Sequence, residues 1–203
     1  MTSQTAPARL PRGRHGLPRE QVVRSQRDRM LRALARTMAD KGYVATTVAD
    51  VLRAAGVSRE TFYEQFKSKE DCFAHAYEAA GGILLSGLAE AQSGEGDALQ
   101  RMGRTLRVYL DTLAAESDFA RLFLVEVYVA DSEGLARRAA VQRAFVDLVI
   151  DGIGARTADD RFACEAFVAA TSSMVTTRLA ANDVDGLRAL HRPLIRLAER
   201  LLA

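Results

Sequence analysis

From Glu20 onward, apolar residues return every three or four positions in window after window, and no run alternates apolar and polar residues convincingly enough to make a strand. A chain patterned this way buries its apolar surface by winding into amphipathic helices whose stripes pack together. With 48% hydrophobic residues among 203 and only 4 prolines, a sizeable core is available and long helices are not broken. The expected fold class is all-α. Three of those prolines fall in residues 1–19, MTSQTAPARLPRGRHGLPR, where Arg9, Arg12 and Arg14 stand among few large apolar groups. That segment cannot bury enough surface to order itself and is expected to be a disordered basic arm, either solubilising or laid along a polyanion.

The net charge of +2 hides an uneven distribution. Residues 1–75 hold 14 Lys/Arg against 8 Asp/Glu, a net +6, and residues 76–203 hold 14 against 18, a net −4. A basic end followed by an acidic body points to a polyanion-binding region attached to a part with another task. No apolar stretch is long enough for a membrane span, residues 1–19 lack the apolar core of a signal peptide, and Cys72 and Cys164 have neither disulfide-framework nor metal spacing. A cytoplasmic protein with reduced thiols, no cofactor, no metal and no membrane partner is expected.

Val23, Met30, Leu34 and Met38 define a first helix closed by Gly42. Thr47 to Asp50 fits a capping box opening a second helix that ends at Gly56, and Ser58 caps a third over Arg59 to about Gln65. Ser68 to Asp71 opens a long helix towards Ala91, expected to be interrupted at Gly81 and Gly82. After a Ser-Gly-Glu-Gly linker, further helices are expected from Asp97, from Ser117 to about Ala130, from Glu133 to Ile153, from Asp160 to Ala181 and from Val184 to Leu202, nine in all. The helix from Glu133 should bury Leu135, Ala139, Phe145, Val149 and Ile153. In the last helix Leu187, Leu190, Leu194, Leu197 and Leu201 form a packing seam, interrupted by Pro193.

Two short helices joined by Ala55-Gly56-Val57-Ser58 satisfy the needs of a helix-turn-helix unit. Gly56 takes the positive φ that leaves the first helix, and Val57 plugs the angle between the two. Phe62 and Phe66, four apart, share the inward face, which turns Arg59, Glu60, Tyr63 and Glu64 mostly towards solvent. The N-terminal part of such a second helix enters a DNA major groove, placing Arg59 and Glu60 at base edges and Tyr63 within reach of phosphate.

The segment TTVADVLRAAGVSRETFYEQFKSKED, Thr46 to Asp71, resembles the DNA-binding domain of tetracycline-repressor (TetR) family regulators, and the resemblance covers about residues 20–80. It implies an N-terminal three-helix helix-turn-helix domain over 20–66 and a helical effector-binding and dimerisation domain over 67–203. It further implies that Thr46 and Thr47 contact phosphate, that Ser58, Arg59 and Thr61 lie at the groove, that Tyr63 donates to a phosphate, and that Lys67 and Lys69 clamp the backbone. Glu60 departs from the family pattern, where Gly is common, as do Gln65 and Leu52. A carboxylate beside phosphates either accepts from a cytosine amine or turns away, so Glu60 either reads sequence or avoids it.

The partners implied are a palindromic double-stranded operator, a second copy of the chain packed through the leucine seam and the Phe167 to Leu179 stripe, and a small apolar or amphipathic effector. For the effector, Met102, Tyr109, Phe119, Phe123, Phe145 and Met174, with Tyr128 and Phe167, supply a lining, and Glu126 and Arg178 supply polar contacts. The plain alternative for most of these is ordinary core, and for Glu126 a salt bridge. A regulator without a ligand is the first competing function. An all-helical enzyme or metal-binding protein is the second, supported only by the local cluster of Asp71, Cys72 and His75, since no nucleophile elbow, phosphate loop or His-Glu-x-x-His pair occurs.

Overall fold

A computed structural model describes residues 18–127 and 134–201. The basic arm, apart from Pro18 and Arg19, and the expected cavity residue Tyr128 lie outside the described residues. The chain divides into two compact units, one ending at Ala76 and the other beginning at Tyr77.

The first unit contains α1 (Arg19–Ala45), α2 (Val48–Ala55), α3 (Arg59–Gln65) and the start of α4 (Lys69–Gln92). Met30, Leu34 and Met38, spaced by four along α1, are fully buried. Gly42 does end the helical geometry, with φ 79° and ψ 162°, and the chain folds back so that Thr46 N–H donates to the Tyr43 carbonyl at 3.2 Å. At α2 the capping box is complete: Thr47 Oγ1 accepts from Asp50 N–H and Asp50 Oδ2 accepts from Thr47 N–H at 2.9 Å. Gly56 closes α2 in the left-handed region at φ 65° and ψ 42°, and its N–H and that of Val57 both donate to the Leu52 carbonyl.

The second unit comprises the rest of α4, then α5 (Ala98–Ala115), α6 (Ser117–Arg121) running into a π-helical turn over Leu122–Glu126, α7 (Gly134–Ile153), α8 (Ala158–Ala180), α9 (Val184–Ala189) and α10 (His191–Leu201). Taking α6 with its π continuation as one rod, and α9 with α10 as another, the described residues form nine helical rods and no strand. Helix α5 is the central element, packed against α6, α7, α9 and α10. Its Leu106, Leu110 and Leu113 are buried, as are Phe167, Val175 and Leu179 of α8. The carbonyls left free where α8 ends are taken up by Arg121, whose Nη1 donates to Leu179 O at 2.8 Å and to Asn182 Oδ1 at 2.9 Å.

Four expectations are corrected here. Helix α4 runs through Gly81 and Gly82 without a break. A Cβ at Gly81 would stand 3.2 Å from the Phe123 ring, so this glycine makes room for a close helix crossing. In the last segment the helix divides after Ala189, and Pro193 falls in the first turn of α10, where its missing N–H has no helical acceptor to lose. The leucine seam is internal: Leu187, Leu190 and Leu194 are at most 7% exposed within the single chain, so they serve its own fold. Along α7, Leu135 is 63% exposed and the buried positions are Gly134, Arg138 and Val149.

Two glycine substitutions should move stability in opposite directions. Gly82→Ala adds a methyl that meets nothing within 4 Å in a helix interior and should stabilise by about 0.5–1 kcal/mol. Gly56→Ala forces a Cβ into left-handed backbone and should destabilise by about 1–2 kcal/mol. Urea unfolding of both variants checks the signs.

Candidate nucleic-acid interface and ligand cavity

The seven residues of α3 are too few to hold a helix by themselves, so the surrounding contacts set its place. Ser58 starts it, its hydroxyl accepting from Thr61 N–H at 3.1 Å and lying 2.9 Å from Thr61 Oγ1. Phe62 and Phe66 lock its inner face: both are at most 1% exposed, and their rings lie 5.4 Å apart. Arg27 of α1 finishes the arrangement, its guanidinium 4.7 Å over the Phe66 ring and its Nη1 donating to Gln65 O at 3.4 Å. With that face fixed, Arg59, Glu60, Tyr63 and Glu64 are left exposed. The Arg59 guanidinium sits 5.5 Å from the Tyr63 ring centroid, and that ring in turn meets Phe62 edge-on. Tyr63 therefore has its ring body anchored while 45% of the residue remains exposed.

The other predicted contact residues separate into two groups. Thr47 and Lys67 are exposed, and Lys67 N–H donates to Asp71 Oδ2 at 2.7 Å, which pins the backbone and leaves the ammonium outside. Thr46 and Lys69 are occupied internally. Thr46 is 1% exposed with its hydroxyl donating to Gly42 O at 2.8 Å. Lys69 Nζ donates to both Tyr43 O and Thr46 O at 3.0 Å and lies 3.9 Å over the Tyr43 ring. A buried threonine and an ammonium spent on two carbonyls organise the α1–α2 corner, and the outward set is Thr47, Arg59, Glu60, Tyr63 and Lys67. Asp50 supports this corner as well: the Lys41 ammonium at 2.6 Å, followed by the Thr47 hydroxyl, holds its carboxyl well below the usual range.

Cys72, from the cluster considered for metal binding, is fully buried, and burial pushes its thiol up to about 12. It belongs to the core, while its neighbours Asp71 and His75 face each other at 3.7 Å one helical turn apart.

In the second unit α5, α7 and α8, with Leu88 of α4, border a half-open cavity of about 60 Å³. Of the residues expected to line it, Met102, Tyr109 and Phe145 do, together with Phe167. The others lie elsewhere: Phe123 stacks on Tyr77 at 4.5 Å, Met174 is 43% exposed, and Arg178 pairs with Asp183 at 3.1 Å. Phe119 and the buried Glu126 also fall outside the lining. Five polar residues not anticipated from the sequence, Thr105, Arg138, Gln142, Thr171 and Ser172, border the cavity as well. The sequence signal was the spacing itself, since stepping back by three and four from Val149 and Phe145 passes through Gln142 to Arg138.

Residues 30–76 match the family model for bacterial regulatory proteins of the tetR family. The activator FasR of Mycolicibacterium smegmatis is 27% identical over 135 residues, 66% of this chain and 60% of FasR. The repressor KstR2 of the same organism is 46% identical over 46 residues, 23% of this chain and 22% of KstR2. The fatty acid degradation regulator FadR from Bacillus halodurans has the same fold, with a TM-score of 0.76 at 22% identity over 88% of this chain and 95% of FadR. Residues 30–76 thus carry the DNA-binding segment of the tetR family. FadR from Bacillus subtilis, solved in complex with stearoyl-CoA, aligns with a TM-score of 0.73 at 20% identity over 86% of this chain and 97% of that FadR. Likenesses at this level of identity establish a tetR-family fold for both units. The chain matches about three-fifths of FasR's own length.

Among these tetR-family positions, Lys69 and Lys67 should differ sharply in their effect on folding. Lys69→Ala abandons two partly buried carbonyls and should cost about 1–3 kcal/mol. Lys67→Ala should stay within about 0.5 kcal/mol of the parent in thermal or urea unfolding.

Proposed function

We propose that the chain is a DNA-binding transcriptional regulator that acts as a homodimer on a palindromic operator and is released by a small ligand held in the second unit. The observation that carries this reading is α3: its inner face is locked by Phe62 and Phe66, and its start presents Arg59, Glu60 and Tyr63 to solvent in a net-basic part of the chain. Thr47 and Lys67 would add phosphate contacts on either side of the reading helix. Glu60 would accept from a cytosine amine, with Arg59 beside it offsetting repulsion by phosphate.

The ligand half of the reading is supported by the half-open apolar cavity and by the stearoyl-CoA complex of the Bacillus subtilis FadR. Its DNA affinity would fall on ligand binding because the ligand favours a state of the dimer that holds DNA poorly, and by linkage DNA would weaken the ligand equally. For the dimer, the outward face of α8 is the surface of choice. Ala169 and Ser173 are exposed there, flanked by Phe162 at 71% and Met174 at 43% exposure, and small residues let two helices approach closely. No helix among the described residues is long and apolar enough to cross a membrane, in keeping with a regulator that works on DNA in the cytoplasm.

The decisive experiment is titration of an operator fragment at several salt concentrations. Lys67→Ala should weaken binding to all sequences alike and shallow the log–log salt slope by about one unit. An unchanged affinity and slope would remove this docking. In the same dimer reading, Ala169→Arg places a charge in the packed face and should give a monomer by light scattering; a variant that remains dimeric moves the interface off α8.

A further inference from the structure

The wall of the cavity in the second unit is largely apolar, formed by residues such as Leu88, Leu106, Phe145, Val149 and Phe167. Arg138 stands among them at 5% exposure. Its Nη2 donates to Ser172 Oγ, while its Nε is buried with no acceptor. It forms no ion pair among the described residues. Thr171, 7% exposed and on the same border, also has a hydroxyl without a hydrogen-bond partner. A guanidinium carries five N–H donors and a fixed positive charge, and taking it out of water without a counter-charge is costly. Among the described residues none pairs with it: burial pushes the nearby Tyr109 hydroxyl up to about 12, so that ring stays neutral at physiological pH.

We propose that this cavity binds a short-chain monocarboxylate, its carboxylate seated on the Arg138 guanidinium and the Ser172 and Thr171 hydroxyls, and its tail among the surrounding leucine and phenylalanine side chains. This rests on reading the second unit as the effector domain. A planar carboxylate matches the guanidinium fork in shape, and a single negative charge matches the single positive one. A phosphate dianion would leave one charge unbalanced in apolar surroundings. The volume of about 60 Å³ is well below the roughly 150 Å³ that holds benzene, which selects a short tail, with flexible Met102 free to adjust. A larger recess of about 300 Å³ is bordered by exposed Asp97 and Glu199, which repel an anion.

The test is calorimetric titration of the full chain, without DNA, using acetate, butyrate, hexanoate and octanoate beside the alcohol of equal length. The best carboxylate should bind on the order of tenfold to a hundredfold more tightly than its alcohol. Arg138→Met should abolish that preference while leaving the melting temperature of the free protein unchanged or raised, because it removes an uncompensated buried charge. Ser172→Ala, a smaller change, should lower carboxylate affinity several-fold. Equal affinity for alcohol and carboxylate, a preference that survives Arg138→Met, binding of acyl-CoA thioesters alone, or no binding at all would overturn the proposal. Should Arg138→Met fail to fold, the wild-type comparison and Ser172→Ala decide. Operator titration separates the two readings: carboxylate binding without DNA binding sinks the regulator, and DNA binding without carboxylate binding sinks this site.

Discussion

The burial of Phe62 and Phe66 is the constraint on which the first unit depends. A seven-residue helix loses more backbone entropy than its own hydrogen bonds return, so α3 persists because each of these rings removes apolar surface worth about 1.5–3 kcal/mol from water. Once both point inward, the phase of the helix is fixed. The side chains on the rest of the helix circumference are left to face out, chief among them Arg59, Glu60, Tyr63 and Glu64. The left-handed Gly56 and the Ser58 cap then fix where the helix begins, which decides which residues stand in its exposed first turn.

The second unit is organised by a different tension. Its core is filled by leucine and phenylalanine from α5, α8, α9 and α10, and the polar groups in it are mostly bonded to the backbone, as with Arg121 at the end of α8 and His191, whose Nε2 lies 2.9 Å from Gly103 O. Arg138 breaks that pattern. Its neighbours on α7 at helical spacing, Gln142, Phe145 and Val149, all line the same cavity, so the helix cannot turn Arg138 outward without exposing Phe145 and Val149. The charge is held inside by the apolar side chains that share its face.

What was legible in the sequence follows the strength of the local signals. Helix caps, the Gly56 turn and the inward Phe pair are set by chemistry within four residues, and each of them was readable in advance. The division of roles among Thr46, Thr47, Lys67 and Lys69 was not, because it depends on Tyr43 and Gly42, which the fold-back at the end of α1 brings beside them. Gly81 likewise looked like a helix breaker until Phe123, forty-two residues further on, occupied the space a Cβ would need. The leucine seam was correctly periodic and wrongly addressed. Periodicity states that a face is buried but carries no information on whether the burying partner is α5 of the same chain or a helix of another. Most of the expected cavity residues failed for a similar reason, since an aromatic stripe is equally suited to core and to lining, and the residue that distinguishes them is a polar one.

That distinction bears on how much signal a ligand can send. An apolar molecule entering an apolar cavity gains about the same contacts in any arrangement of the walls, and a ligand of equal affinity for two states shifts neither. A group that neutralises a buried guanidinium gains much more, because the free protein already bears the cost of hiding that charge. The gain is also directional, since it is realised only where α7 and α8 bring Arg138, Ser172 and Thr171 to one border. A state of the second unit that parts those helices loses the charge-assisted contacts while keeping most of the apolar ones. On the proposed carboxylate reading, the differential affinity available for regulation would be concentrated in one charged side chain, and the 5-fold to 150-fold coupling typical of allosteric proteins requires about 1–3 kcal/mol of it.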